Sequence, residues 1–138
     1  MNNLTKLKIN KPAHEVFEAF VDPAKIGNFW FSSSSERWEA GKTITLRYDE
    51  YNAEGTVKIT GLETNKKIVM DDWEGHTTTI TLKKEDPSTT IIEVNEEGFD
   101  ENDVDRLLDN KEGWVYTLTC LKAYVEFGIS TLRASLVK

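Results

Sequence analysis

Hydrophobic and polar residues alternate along much of this chain, and the pattern changes to a long helical period near its end. Before residue 100, apolar side chains recur at every second position in several short runs, as in strands with one buried face. Further on, Trp114, Leu118, Leu121 and Val125 fall at i, i+4, i+7 and i+11. The pattern therefore predicts a series of strands followed by one long helix over residues 113–128.

The predicted strands are short and closely spaced. They cover residues 4–10, 43–51, 54–63, 66–75, 76–85 and 89–99, with a further short strand near Trp38. Because only a few turn residues separate most of them, we expect an antiparallel sheet. Its alternation indicates one covered face and one face in water.

Two short helices are expected between the first strand and the rest of the sheet. Pro12 stands where proline opens a helix, and apolar residues follow at helical spacing. These residues are Val16, Phe17, Phe20 and Val21. The Asp22-Pro23 pair ends the run, and a second helix is predicted over residues 24–30. Near the other end, Asp100 is the predicted N-cap of a helical run with a bend or break at Gly113.

A single domain spanning residues 1–138 accounts for all of these elements. At this length roughly two thirds of the unfolded surface can be buried without a disulfide, and Cys120 is the only cysteine. The apolar stripe of the long helix must be covered by the sheet. We therefore expect a sheet that grips a helix, with a cavity between the two.

Composition narrows the class of protein. The formal net charge of -7, with no stripe of Lys or Arg, disfavours nucleic acid as a partner. The N-terminal residues lack the apolar run of a signal peptide, and no apolar stretch approaches the roughly 20 residues of a membrane helix. These features predict a cytoplasmic protein, monomeric or homodimeric, with no insertion into a membrane.

Several segments resemble one known family. They are INKPAHEVFEAFVDPAKIGNFW, AGKTITLRY, EGTVKITGLETNKKIVMDDW, and EEGF followed by GWVYTLTCLKAYVE. Their order resembles the activator-of-heat-shock-protein-90-ATPase group within the START and Bet v 1-like superfamily. The resemblance implies an α+β helix-grip fold: a curved antiparallel sheet of about seven strands around a long C-terminal helix, with two short helices after the first strand. It also implies a ligand cavity in many members and no shared reaction.

The candidate binding residues are those expected on the inner face of the sheet, on the helix stripe, or at the mouth of the cavity. They are Trp30, Trp38, Tyr48, Met70, Ile80, Val94, Glu96, Trp114, Leu118 and Leu121. Trp30 and Trp38 are expected at the mouth. Glu96 follows Ile92 and Val94 in phase, so its carboxylate is expected to point inward, with a pKa raised by desolvation, where it can hold a ligand amine or hydroxyl.

No catalytic, metal or cofactor motif is found. The two histidines, His14 and His76, lack metal-ligand spacing, and His76 is expected on the surface beside a turn. Cys120 has no basic neighbour in the sequence, which indicates a packed thiol. No glycine-rich phosphate loop is present. Neither a catalytic residue nor a bound metal or cofactor is therefore predicted.

Three functions remain open from the sequence. The first is a binding protein for a small apolar or amphipathic molecule, lipid-like or polyketide-like, held between sheet and helix. The second, which the family resemblance implies, is an interaction module that stimulates a heat shock chaperone ATPase. The third is a cyclase or hydrolase, for which Glu96 with Asp72 or Tyr48 is the only set of polar residues to propose.

Overall fold

The computed structural model describes residues 1–138 and confirms the predicted helix-grip fold. The strands are β1 (Asn3–Ile9), β2 (Ser33–Ser34), β3 (Thr43–Tyr48), β4 (Ala53–Glu63), β5 (Lys67–Asp71), β6 (Thr77–Asp86) and β7 (Thr89–Glu97). The helices are α1 (Ala13–Val21), α2 (Pro23–Ile26) and α3 (Val104–Phe127). All seven strands form one antiparallel sheet in the order β1-β7-β6-β5-β4-β3-β2, and none of the helices has the length and apolar character needed to span a membrane.

Two local predictions near α1 and α2 need correction. α2 ends at Ile26 and does not continue to Trp30. The short strand lies at Ser33–Ser34 and not near Trp38. Trp38 lies outside any strand with its side chain buried, and its indole N–H donates to Oγ of Ser34 at 3.2 Å. The polar run before Trp38 therefore supplies the strand, while the aromatic ring packs inward because its burial removes a large apolar surface from water.

The start of α3 also differs from the prediction. Asp103 is the N-cap, and its side chain accepts a hydrogen bond from the backbone N–H of Arg106 at 3.1 Å. Asp100 lies in the preceding turn, where its carboxylate accepts from the N–H of Asn102. Gly113 does not break the helix, which runs for 24 residues and ends before Gly128 in a left-handed conformation with φ of 69°.

The apolar stripe of α3 packs against the inner face of the sheet. Trp114, Leu118 and Leu121 are all buried, Cys120 packs beside them, and Val125 is partly buried against the same core. The buried thiol confirms that Cys120 is a packed residue, and burial raises its pKa. The stripe therefore holds α3 on the sheet through the hydrophobic effect.

α3 also covers the open edge of the sheet at β1. The ammonium group of Lys111 donates to the carbonyl of Leu4, and that of Lys122 donates to the carbonyl of Lys8 at 2.8 Å. The backbone N–H of Asn10, just after β1, donates to the carboxylate of Glu126 at 3.0 Å. These bonds satisfy backbone groups that a bare edge strand leaves open to pairing with another chain.

We expect Leu118→Ala to lower the free energy of unfolding by about 2–5 kcal/mol, because it removes a fully buried side chain and leaves a cavity. Leu108→Ala, at a residue of α3 with 60% exposure, is the matched control and is expected to change stability by less than about 0.5 kcal/mol. Urea unfolding of both variants measures the difference. Equal losses in the two variants would contradict the packing of α3 described here.

Candidate functional site

A cavity of about 330 Å³ lies between α3 and the inner face of the sheet. Its wall contains 21 residues, 12 of them hydrophobic. They come from β3 to β7, from residues 109–117 of α3, from the loop after α2, from the turns after β3 and β5, and from residues 134–138. A mostly apolar wall with a few polar groups is the usual character of a small-molecule site.

The structure divides the ten predicted binding residues into two groups. Five of them line the cavity: Trp30, Tyr48, Met70, Glu96 and Trp114. The other five belong to the closed core and do not reach the cavity wall: Trp38, Ile80, Val94, Leu118 and Leu121. The wall also contains residues that the sequence reasoning missed, among them Thr78, Gly113 and Leu136.

The register of the sheet explains this division. One row of paired residues crosses β1, β7, β6 and β5 and forms the cavity side of the inner face: Asn3, Glu96, Thr78 and Met70. The next row on the same face, two residues along each strand, lies within the core: Thr5, Val94, Ile80 and Ile68. Two residues along a strand are about 6.8 Å. Alternation predicts which face of the sheet a side chain occupies. It does not predict which row of that face borders the cavity and which row lies in the closed core.

Three of the four residues in the row beside the cavity are polar although they are buried. Asn3, Thr78 and Glu96 are each at most 5% exposed. Thr78 is in phase with Ile80 and Leu82 along β6, which is the sequence signal that places its hydroxyl on the inner face. Inner positions of such a sheet are normally apolar, because a buried polar group without a partner destabilises the fold.

Glu96 is the central polar residue of this row. The side-chain amide of Asn3 donates to Oε1 of Glu96 at 3.1 Å, and the same amide lies 3.3 Å from the carbonyl oxygen of Leu107. No lysine or arginine forms an ion pair with the Glu96 carboxylate. Burial raises its pKa, and the nearby Trp114 indole and Asn3 amide oppose that rise without cancelling it.

Asp72 lies beside the same cavity, in the turn between β5 and β6. Its Oδ1 accepts the backbone N–H groups of Glu74 at 2.8 Å and His76 at 2.9 Å, which holds the turn together. Its Oδ2 lies 3.4 Å from Nδ1 of His76. The carboxylate is therefore fixed in position by the backbone and shares the cavity wall with Glu96.

His76 is buried, and the prediction of a surface position for it is wrong. Its ring stacks on Phe99 with 4.2 Å between centroids, and its Nδ1 has no aligned hydrogen-bond partner. The turn beside Gly75 suggested exposure, but Phe99, more than 20 residues later, covers the ring. Because the two residues are far apart in the sequence, the hydrophobic pattern around His76 does not predict this contact.

Aromatic residues form much of the remaining wall. The rings of Trp30 and Trp114 lie 4.9 Å apart, and those of Tyr48 and Tyr51 lie 5.1 Å apart. Trp73 is 54% exposed and rests on the backbone at Gly55, where an added Cβ would fall 2.6 Å from the indole ring. Glycine at position 55 is therefore required for Trp73 to lie flat over β4.

The segment after α3 crosses the cavity and contributes to its wall. Arg133 anchors it: its guanidinium donates to both carboxylate oxygens of Glu50, at 2.6 and 3.0 Å, and to the carbonyl of Trp30 at 2.8 Å. This pairing lowers the pKa of Glu50 to about 2. The hydroxyl of Tyr51 donates to the carbonyl of Leu136 at 2.9 Å. We name residues 129–138 the strap; the helical periodicity before it did not indicate this path.

The groups of the cavity wall that could act as an acid or a base are carboxylates, phenols and the ammonium group of Lys138. Burial raises the pKa of Tyr48 far above its ordinary value, so its phenol stays protonated near neutral pH and is not available as a base. Glu74 and Asp109 are held in ion pairs, so Asp72 and Glu96 are the wall carboxylates that a cyclase or hydrolase would have to use. No group of three or more His, Cys, Asp or Glu side chains is placed to hold a metal ion.

We expect Glu96→Gln to increase stability at neutral pH, with the gain shrinking as the pH falls. Because the pKa of Glu96 is higher in the folded state, the folded state binds more protons than the unfolded state at intermediate pH. The wild type therefore loses stability as the pH rises from the unfolded-state pKa to the folded-state pKa. Glutamine removes that dependence and keeps an oxygen that accepts from Asn3. Thermal unfolding between pH 4 and pH 8 measures the stability difference between variant and wild type. Glu97→Gln, on the exposed face of β7, is the control.

A larger gain for Glu96→Gln at pH 4 than at pH 8, or the same pH profile in both variants, would contradict the assigned burial of the carboxylate. The comparison does not require any ligand. It therefore tests the electrostatics of the empty cavity by itself.

Comparison with known proteins finds relatives that match most of the length of this chain. Residues 10–126 match the family model described as activator of Hsp90 ATPase homolog 1-like protein. The crystal structure of protein SSP2350 from Staphylococcus saprophyticus is 52% identical, with a TM-score of 0.88 over 94% of this chain and 95% of that one. A search of the curated proteins found no match.

Two more distant structures share the fold. The solution structure of the Aha1 dimer from Colwellia psychrerythraea is 19% identical, with a TM-score of 0.83 over 93% of this chain and 98% of that one. The solution structure of the AHSA1-like protein from Aeromonas hydrophila is 16% identical, with a TM-score of 0.77 over 100% of this chain and 99% of that one. At these identities the likeness concerns the fold alone.

Proposed function

We propose, from the premise that the chain belongs to the family of activator of Hsp90 ATPase homolog 1-like proteins, that it binds a small apolar or amphipathic molecule between its sheet and α3. The observation that supports this function is the cavity of about 330 Å³ with its mostly hydrophobic wall. That volume lies at the lower end of the roughly 300–1,000 Å³ of small-molecule sites.

The cavity is costly for a protein that does not use it. Protein interiors are packed about as densely as organic crystals, and voids larger than a water molecule are few. This cavity opens to solvent, so the apolar atoms of its wall lose the packing contacts and the burial that a closed core would give them. A bound molecule of matching shape would supply those contacts, which is why an apolar cavity of this size supports a ligand-binding function.

Gly113 supports the same interpretation. It lies on the cavity wall within α3, and a Cβ added there would meet nothing within 4 Å. Alanine at this position would fit and would favour the helix by up to about 1 kcal/mol. Glycine at a position where alanine is both allowed and more stable leaves the helix surface open to the cavity, at a cost in stability that a binding function would explain.

We expect neutral amphiphiles such as long-chain alcohols or Nile red to bind and raise the unfolding temperature. At a concentration one hundred times its dissociation constant, a ligand adds about 2.7 kcal/mol of stability. Gly113→Phe is expected to fill the cavity and abolish the shift, whereas Gly113→Ala is the matched control that keeps most of the volume. Thermal shift and calorimetric titration measure ligand binding by the wild type and by both variants.

Two results would count against this function. One is that no member of the panel binds the wild type. The other is that Gly113→Phe folds and still binds the panel as the wild type does, which would place the ligand elsewhere.

A second candidate, favoured by the description of the matching family, is an interaction module that stimulates a heat shock chaperone ATPase. Such a module acts through its outer surface, so we expect stimulation to survive Gly113→Phe. An ATPase assay of the Hsp90-type chaperone from the same organism, with and without the protein, measures it. No change in turnover at saturating protein would remove this candidate, while stimulation without any ligand binding would replace the first proposal with it.

A further inference from the structure

We propose that the molecule held in this cavity carries a cationic amine, which Glu96 and Asp72 bind while its apolar body lies against β3 and β4. This inference rests on the proposed binding function and names the chemical class of its ligand. It follows from three features of the cavity wall: its charges, its buried polar row, and the separation of polar from apolar residues.

The charges of the wall do not balance. It contains four carboxylates, those of Asp72, Glu74, Glu96 and Asp109, and one ammonium group, that of Lys138. Lys138 pairs with Asp109 at 2.6 Å, and Arg106 pairs with Glu74. Neither Asp72 nor Glu96 has a lysine or arginine partner, although His76 approaches Asp72. Two carboxylates of one cavity are therefore left without a fixed cation.

Burial makes this imbalance more significant for Glu96 than for a surface residue. A buried carboxylate that lacks a cationic partner is strongly destabilising, and proteins normally supply a partner or replace the acid. Its hydrogen-bond partner Asn3 and its paired residue Thr78 are both neutral, and the nearby imidazole of His76 makes its carboxylate contact with Asp72. A ligand ammonium group would provide the missing charge and up to three hydrogen-bond donors.

Asp72 is suited to complete such a site. Two backbone N–H groups hold its Oδ1, so the carboxylate is already oriented before a ligand arrives. It shares the cavity wall with Glu96, where burial is the main cause of the raised pKa of the Glu96 carboxyl, His76 lowers that pKa and Asp72 adds a smaller rise. A cation between them would relieve that repulsion.

The wall is also divided in a way that orients an amphiphile. β3 and β4 contribute Leu46, Tyr48 and Val57, whereas the turn after β5 and the strands β6 and β7 contribute Asp72, Thr78 and Glu96, with Met70 of β5 as the apolar residue among them. Trp30 and Trp114 add ring faces, which attract cations as well as apolar groups. A fully apolar ligand would leave the acidic side unpaired, and an anionic one would be repelled by it.

Three probes with one aromatic body test this inference: 2-(2-naphthyl)ethylamine, 2-(2-naphthyl)ethanol and 2-naphthylacetate. They differ in the charge of the end group and little else. By calorimetric titration at pH 7, we expect the amine to bind at least tenfold more tightly than the alcohol, and the carboxylate to bind most weakly. Added salt should reduce the advantage of the amine only partly, because the carboxylates are shielded from solvent.

Variants then assign the preference to named groups. Glu96→Gln is expected to bring the affinity ratio of amine to alcohol close to one, and Asp72→Asn to lower it. Glu97→Gln, on the next residue of β7 but on its exposed face, is the matched control and should keep the ratio of the wild type. If Glu96→Gln fails to fold, Asp72→Asn and Thr78→Lys, which adds a fixed cation beside Glu96, carry the test.

The outcomes separate the two proposals. If the alcohol or the carboxylate binds as tightly as the amine, the cationic ligand class is overturned while the binding function stands. If the amine preference survives in all of these cavity variants, the assignment to Glu96 and Asp72 is overturned. If none of the three probes binds and the neutral panel also fails, both proposals fall.

Discussion

The packing of α3 on the inner face of the sheet is the interaction on which the rest of this structure depends. In its second half, Leu118 and Leu121 are fully buried and close the core against the sheet. In its first half, Gly113 presents no side chain, and the helix stands away from the sheet at the cavity. One helix therefore both seals the core and leaves the opening. Because it is continuous and rigid over 24 residues, the closed half determines the width of the open half.

The strap completes the enclosure from a third side. Arg133 uses the planar, multi-donor geometry of its guanidinium to join Glu50, Ser32 and the carbonyl of Trp30. The side chain of Arg133 is only 12% exposed, so this anchor is stronger than a surface ion pair between two mobile side chains. Since the pKa of Glu50 is held near 2, the carboxylate stays charged at all ordinary pH values, and the strap has the same anchor throughout that range.

The fold was predictable from local pattern, whereas much of the site was not. Period-two runs identified the strands from β3 to β7, and the stripe of Trp114, Leu118 and Leu121 identified the long helix. Periodicity assigns a face but not a depth, which is why Ile80 and Val94 were grouped with Glu96 although they lie one row deeper. The burial of His76 under Phe99 and the path of the strap depend on contacts between distant segments. No window of sequence contains both partners of such a contact.

The two rows of the inner face separate stability from binding along the same strands. β6 places Ile80 in the core row and Thr78 in the cavity row, and β7 does the same with Val94 and Glu96. The apolar row supplies the burial that offsets the desolvation of its polar neighbour. A sheet built in this way can change the polarity of its cavity at one position per strand while the core two residues away stays intact. The polarity of the cavity row can therefore be set by ligand binding, while the stability of the fold rests on the row beside it.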